Sequence, residues 1–181
     1  MPPPDPAPGA NPVSTFAAFG VRNYRLFAGG FLCSATGLQM QAIAVLWEVY
    51  QRTQDPLHLG YVGLARALPV VLLALVAGHI ADILNRRLIL LVTQLGFALC
   101  AGGLVAASLL QAPLWVFYAL LVATGVARAF NGPSRSSLLP LLVPDRFFQN
   151  AVTWNANIFQ VAAIGGPLWA GMMIAGVGAA W

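Results

Sequence analysis

Few residues in this chain can do chemistry. The acids are Asp5, Glu48, Asp55, Asp82 and Asp145, the cations are nine arginines with no lysine, and His58, His79, Cys33 and Cys100 complete the set. The acids are scattered, and neither a Ser/His grouping nor an HExxH run is present, so no acid–base or nucleophilic centre is formed. Each cysteine lies inside an apolar run, where a thiol acts as a small hydrophobe. Each histidine stands at the edge of such a run without a partner at ligand spacing. The sequence thus implies no metal, no cofactor and no enzymatic reaction. The net charge of +4 does not point to nucleic acid, because the arginines stand singly or in pairs between apolar runs rather than along one basic face. What remains is charge set inside apolar sequence, at Arg66, Arg128 and Glu48, together with the uncharged polar groups of Gln39, Gln41 and Asn155.

The elements that carry these residues follow from composition. Of 181 residues, 59% are hydrophobic and 8% charged, against about 25% charged in a soluble domain. There is too little polar surface to clothe this apolar material in water, and a lipid bilayer is the implied surrounding. The expected class is an all-α membrane protein with about five transmembrane helices, over 26–50, 59–81, 88–110, 114–142 and 149–177. Each run exceeds the roughly 20 residues needed to cross ~30 Å of hydrocarbon at ~1.5 Å per residue. Polar turns separate the runs: QRTQDPLH, DILNRR, QAP and VPDRFF. A β-barrel is excluded, since its strands are alternating segments of about ten residues. Pro69 and Pro133 predict irregular helices, which membrane bundles tolerate when neighbours satisfy the freed carbonyls.

Residues 1–13 are proline-rich and lack the basic start of a secretory signal, so a disordered tail is expected. Residues 14–25 alternate aromatics with Arg22 and Arg25, as a lead-in lying at the headgroup level does. Arg22, Arg25, Arg86, Arg87 and Arg146 fall on one side of the five spans, with Arg135 near that end of the fourth, and only Arg52 on the other. The positive-inside rule places the arginine-rich side, and the amino terminus, in the cytoplasm.

A buried charge costs several kcal/mol unless it is paired, hydrated or near an interface. Arg66 lies about two turns from the outer end of the second span and either snorkels outward or lines a polar cavity. Arg128 lies halfway along the fourth, where snorkelling is harder and a buried pairing or cavity role is expected. Glu48 is in the same outer half as Arg66, and an ion pair between them is one expectation.

Three stretches carry a resemblance. Gly78, Asp82, Arg86 and Arg87 in the turn after the second span resemble the cytoplasmic loop signature of the major facilitator superfamily. Asn85 replaces its second glycine and Ile83 a commonly basic residue; asparagine tolerates the left-handed turn conformation. Arg128-Ala129-Phe130-Asn131-Gly132 is similar to the superfamily's Arg-x-x-Gln-Gly stretch, with Asn131 in place of Gln. Gly166, Pro167 and Gly171 on the fifth span match its antiporter motif, while Ala162 and Ala170 stand where glycines are usual. Small residues there allow close helix approach. The surrounding sequence is similar to the bacterial exporter branch that carries siderophores and drugs.

The resemblance implies a multi-pass protein of the bacterial cytoplasmic membrane that exports amphipathic small molecules in exchange for protons. In it, the loop of Gly78, Asp82, Asn85, Arg86 and Arg87 is a gate, with Asp82 free to cap a helix start and the arginines facing carbonyl ends or lipid phosphates. Arg128, with Asn131 and Gly132, takes part in coupling, and Arg66 and Glu48 are further candidates. Gln39, Gln41 and Asn155 line a central cavity. Superfamily carriers have two six-helix halves with substrate between them, so this chain is expected to be an amino-terminal piece whose partners are lipid, substrate, protons and the missing carboxyl-terminal half. A non-transporting helix-interaction protein or an inactive truncated carrier is the alternative.

Overall fold

The computed structural model describes residues 17–178. The expected tail and the first part of the lead-in lie outside the described residues. A 3-10 turn, Ala17–Gly20, precedes five α-helices: α1 (Arg22–Thr53), α2 (Pro56–Ile83), α3 (Arg86–Leu109), α4 (Leu114–Leu142) and α5 (Asp145–Gly178). All five are long and apolar enough to cross a membrane, and the all-helical bundle is the one the apolar runs predict. Large side chains face outward along the helices, with Leu75 of α2 89% exposed and Leu109 of α3 79%. Such outward apolar surface is stable in hydrocarbon, not in water.

The helix ends differ from expectation in instructive ways. α1 starts at Arg22, so part of the expected interfacial lead-in is the first turn of the first membrane helix. Nothing in Arg22-Asn23-Tyr24-Arg25 breaks a helix, and Tyr24 is fully buried, its hydroxyl donating to the Ala151 carbonyl at 3.0 Å. α1 also runs on to Thr53, through the polar residues read as loop. Gln54 stops it in the left-handed conformation, φ 52°. α2 begins on an Asp55 cap that accepts from the Leu57 N–H at 2.9 Å, with Pro56 in the first turn, where proline's missing N–H costs nothing.

α4 packs along both α2 and α3, and α1 packs along α5; contact between these two groups is sparse. Glycine sets two of these three seams. A Cβ on Gly166 of α5 would lie 2.5 Å from Gln39 Cβ and 3.1 Å from the Thr36 carbonyl of α1. A Cβ on Gly125 of α4 would lie 2.8 Å from the Arg66 carbonyl and 3.0 Å from Pro69 Cγ of α2. The proline that interrupts α2 is thus buried against the glycine that admits it.

Two buried clusters close the ends of the bundle. One joins Tyr24 and Ala28 of α1, Leu139 of α4 and Ala151 and Ile158 of α5. The other joins Val45 and Val49 of α1, Val62 of α2, Leu104 of α3 and Phe117 and Leu121 of α4. In α4, the Ser136 and Ser137 hydroxyls each donate to the Pro133 carbonyl at 2.9 Å, the back-bonding by which serine is held within a helix.

Candidate functional site

A large cavity, about 530 Å³, lies between α1, α3 and α4, with Phe159 of α5 among its lining residues. Its polar lining comes from Ser34 and Gln39 of α1, Arg87 and Gln94 of α3, and Arg128, Asn131 and Arg135 of α4, set among leucine and phenylalanine. Several of these groups are held in place. Asn131 donates from Nδ2 to Thr93 Oγ1 at 2.9 Å, tying α4 to α3. Thr93, which is buried, donates back to the Leu90 carbonyl at 3.0 Å. Ser34 donates to Gln94 Oε1 at 3.0 Å, bridging α1 and α3. The Arg135 guanidinium stacks 3.7 Å from the Phe31 ring centroid, a cation–π contact that stabilises a half-buried charge.

Arg128 also lines this cavity but is exposed, and among the described residues it has no hydrogen bond or ion pair. The expected buried pairing is therefore not formed in this chain: the side chain comes from the midpoint of α4 and meets no acid there. Gly132 lines the same cavity, and a Cβ added to it would meet open space.

The three polar residues expected in one cavity are separated. Gln39 lines the large cavity. Gln41, two residues on and so displaced around the helix, lines a smaller one of about 300 Å³ with Glu48, Ser108 and Phe117. Asn155 lines neither, and its Oδ1 is buried without a hydrogen-bond partner.

Glu48 does not pair with Arg66. It accepts from Arg52 Nε at 2.9 Å, one helical turn on, and from the Ser108 hydroxyl of α3 at 2.9 Å. Arg52 also donates to the Ala112 carbonyl at 2.8 Å and lies 4.9 Å from the Phe117 ring centroid. The physical reason is the extension of α1 to Thr53, which places Arg52 on the same face as Glu48, four residues away. This latch joins the end of α1 to the α3–α4 turn. Nearby, His58 Nδ1 and the Tyr118 hydroxyl are hydrogen-bonded at 2.8 Å across α2 and α4.

At the other end, the α2–α3 turn holds the loop signature. Asn85 is extended, φ −63° and ψ 108°, not left-handed, and its side chain caps α3 by accepting from the Arg87 N–H at 3.0 Å. The asparagine thus supplies the cap considered for Asp82, whose side chain lies outside the described residues. Arg86 donates to the Ser137 carbonyl of α4 at 2.9 Å, while Arg87 is exposed and lines the large cavity. A Cβ on Gly78 would meet nothing within 4 Å. In the fifth helix only Gly166 sits at a close approach. Gly171 faces open space, and Pro167 is half-buried inside the helix.

Sequence reasoning passed over Arg52 as a loop residue and Arg135 as an interfacial one. It also passed over Thr93, Ser34 and Gln94, whose uncharged side chains give no signal until the helices are placed side by side.

The described residues thus form five membrane-length helices around a polar-lined cavity. Residues 13–181 match the transmembrane secretion effector family, and the chain belongs to that family of the major facilitator superfamily. Over 143 residues it is 30% identical to the uncharacterized MFS-type transporter YfiS of Bacillus subtilis, covering 78% of this chain and 33% of that protein. It is 27% identical over 135 residues to the staphyloferrin A transporter of Staphylococcus aureus, covering 74% and 34%. It is 22% identical over 151 residues to macrolide efflux protein A of Streptococcus pyogenes, covering 83% and 37%. The chain spans about a third of the length of these curated relatives. No solved structure matches it.

Proposed function

We propose that this chain is the amino-terminal part of a secondary active exporter of amphipathic small molecules, drugs or siderophores, in the bacterial cytoplasmic membrane. The observation that carries this reading is the large cavity between α1, α3 and α4, whose walls are mostly apolar but hold Gln39, Asn131 and three arginines. An apolar pocket with a few fixed polar groups suits an amphipathic ligand, and membrane-embedded charge marks transport pathways. Two relatives bear the names of a macrolide efflux protein and a staphyloferrin A transporter; the first supports export as the direction, and both support a drug or siderophore as cargo.

The amino terminus is cytoplasmic in this reading, because five of the nine arginines lie at the end of the bundle formed by the start of α1, the α2–α3 turn and the α4–α5 turn, with Arg135 two turns inside α4 from that end. Alternating access rocks one bundle against another around a midplane site, so a carboxyl-terminal bundle is required as partner. Proton exchange is the coupling, with Arg128 as the residue that senses it. The loop around Asp82, Asn85, Arg86 and Arg87 forms the inner gate, Arg86 holding α4 through its Ser137 contact. Pro167 and Gly166 shape the α1–α5 seam.

The test is efflux by the full-length protein encoded by an in-frame continuation of the gene. In everted vesicles, an imposed proton gradient should drive uptake of a lipophilic dye, and Arg128→Ala should abolish it. Gradient-independent dye movement would sink proton coupling. No dye movement across a panel of macrolides, siderophores and dyes would favour the helix-interaction alternative.

A further inference from the structure

A second cavity, of about 450 Å³, shares Arg128 of α4 with the large one and is otherwise lined by Gly63, Arg66, Ala67, Val70 and Val71 of α2. Its two polar groups are both guanidinium ions. They are brought together by the closest approach of α2 to α4, where Gly125 presses on the Arg66 carbonyl. Arg128 stands three residues on from Gly125, on the same face of α4. Among the described residues neither guanidinium has a hydrogen bond, an ion pair or a ring contact.

Such an arrangement is costly as it stands. Arg128 lies at the middle of α4 and Arg66 about three turns into α2, both inside helices long and apolar enough to cross the hydrocarbon, where like charges are weakly screened and repel. Arginine does not escape by losing its proton. A packing role would be filled better by leucine, and a positive-inside anchor belongs at a helix end. Two unpaired forks converging on one cavity are relieved by an anion whose oxygens accept from both, the geometry in which arginine binds carboxylate and phosphate most strongly. The rest of the wall is glycine, alanine and valine, so the group attached to that anion must be apolar.

We infer that Arg66 and Arg128 form a binding site for the oxyanion, carboxylate or phosphate in type, of an amphipathic molecule. The inference rests on the transporter reading for its biological meaning and narrows it to anionic cargo or an anionic lipid.

The test uses the 181-residue chain in neutral maltoside micelles, with dansylglycine as the anionic probe and dansylglycinamide as its neutral counterpart of nearly the same shape. The acid should bind about tenfold or more tightly than the amide, as expected for a charge-assisted bidentate contact. Arg66→Gln should remove that preference while leaving the weak binding of the amide in place, and Arg128→Gln should remove the preference as well. Equal binding of acid and amide by the unsubstituted chain overturns the proposal, and that comparison holds whether or not either variant folds. A preference that survives both substitutions in variants of unchanged helical circular dichroism overturns it as well. Added phosphatidylglycerol distinguishes the sources of the anion. Displacement of the probe supports the site with a lipid phosphate as occupant, and undisturbed binding supports it with a soluble amphiphile. Dye efflux by the full-length protein with no acid preference would refute the anion site alone, whereas acid preference without efflux would refute the transporter reading alone.

Discussion

Gly166 of α5 lies so close to Gln39 of α1 that a methyl group at position 166 would fall 2.5 Å from Gln39 Cβ. The obstruction is the root of a side chain and the neighbouring Thr36 carbonyl, at 3.1 Å, neither of which swings aside. Gly166→Ala should therefore destabilise the chain by about 1–3 kcal/mol, the usual cost of overpacking. Gly171→Ala, facing open space, should be neutral or stabilising by up to about 1 kcal/mol through helix propensity. Thermal unfolding of both variants in detergent checks the pair; equal effects would show that the α1–α5 seam is not set by Gly166.

The latch at the other end yields a second expectation. Arg52→Gln removes the ion pair and frees the Ala112 carbonyl, while Glu48→Gln keeps a group able to accept from Ser108. Both partners are partly exposed, 20% and 28%, so solvent screening limits the pair to about 1 kcal/mol. Arg52→Gln should be the more destabilising of the two, by unfolding in detergent, because it alone leaves a backbone carbonyl without its donor.

Asn131 and Thr93 offer a double-mutant cycle. Asn131→Ala and Thr93→Val each break the same 2.9 Å hydrogen bond, so their effects should fall short of additivity by about 0.6 kcal/mol, the average for such bonds between membrane helices. Additive effects would mean that this bond does not hold α3 to α4.

Much of this fold was legible in the sequence. Unbroken apolar runs of membrane length have one physical solution, because every backbone polar group must be satisfied within its own segment. Their ends were less legible. Gln51, Arg52 and Thr53 are polar and read as loop, yet α1 continues through them, since nothing there breaks a helix before Gln54 turns left-handed. That error hid the Glu48–Arg52 spacing and suggested a partner for Glu48 on the wrong helix. The candidate site was legible as a set of residue types, not as a surface. Gln39 and Gln41 look equivalent on paper, but a 3.6-residue repeat turns them toward different cavities. Arg66 and Arg128 could be named as intramembrane charges, while their convergence depends on Gly125 admitting Pro69, a contact between distant positions that no local pattern encodes.

Asn85 provides a test of the α2–α3 turn. Because its side chain caps α3, Asn85→Ala should cost about 1 kcal/mol, Asn85→Asp little, and Asn85→Gly only a few tenths. Hydrogen exchange at the Arg87 amide, measured in micelles, should quicken most in the alanine variant. An unchanged rate there would dismiss the cap.

Reporter fusions address orientation. A phosphatase fused after Arg87 should be inactive and one fused after Gln54 active, as the arginine distribution requires. The reverse pattern would invert the proposed topology and place the Asp82 loop outside the cell.

The α1–α5 pair and the α2–α3–α4 trio are joined covalently at only two points, Gln54-Asp55 and Val143-Pro144. These two-residue straps sit at opposite faces of the bilayer, like staples at the top and bottom of a folded sheet. Neither mouth of the seam can gape by simple hinging without pulling on the strap beside it. Between the straps the Ser34–Gln94 bond and the contacts of Glu48 and Arg52 with Ser108 and Ala112 also tie the two blocks, so the large cavity is bordered by blocks fastened side chain to side chain as well as through the backbone.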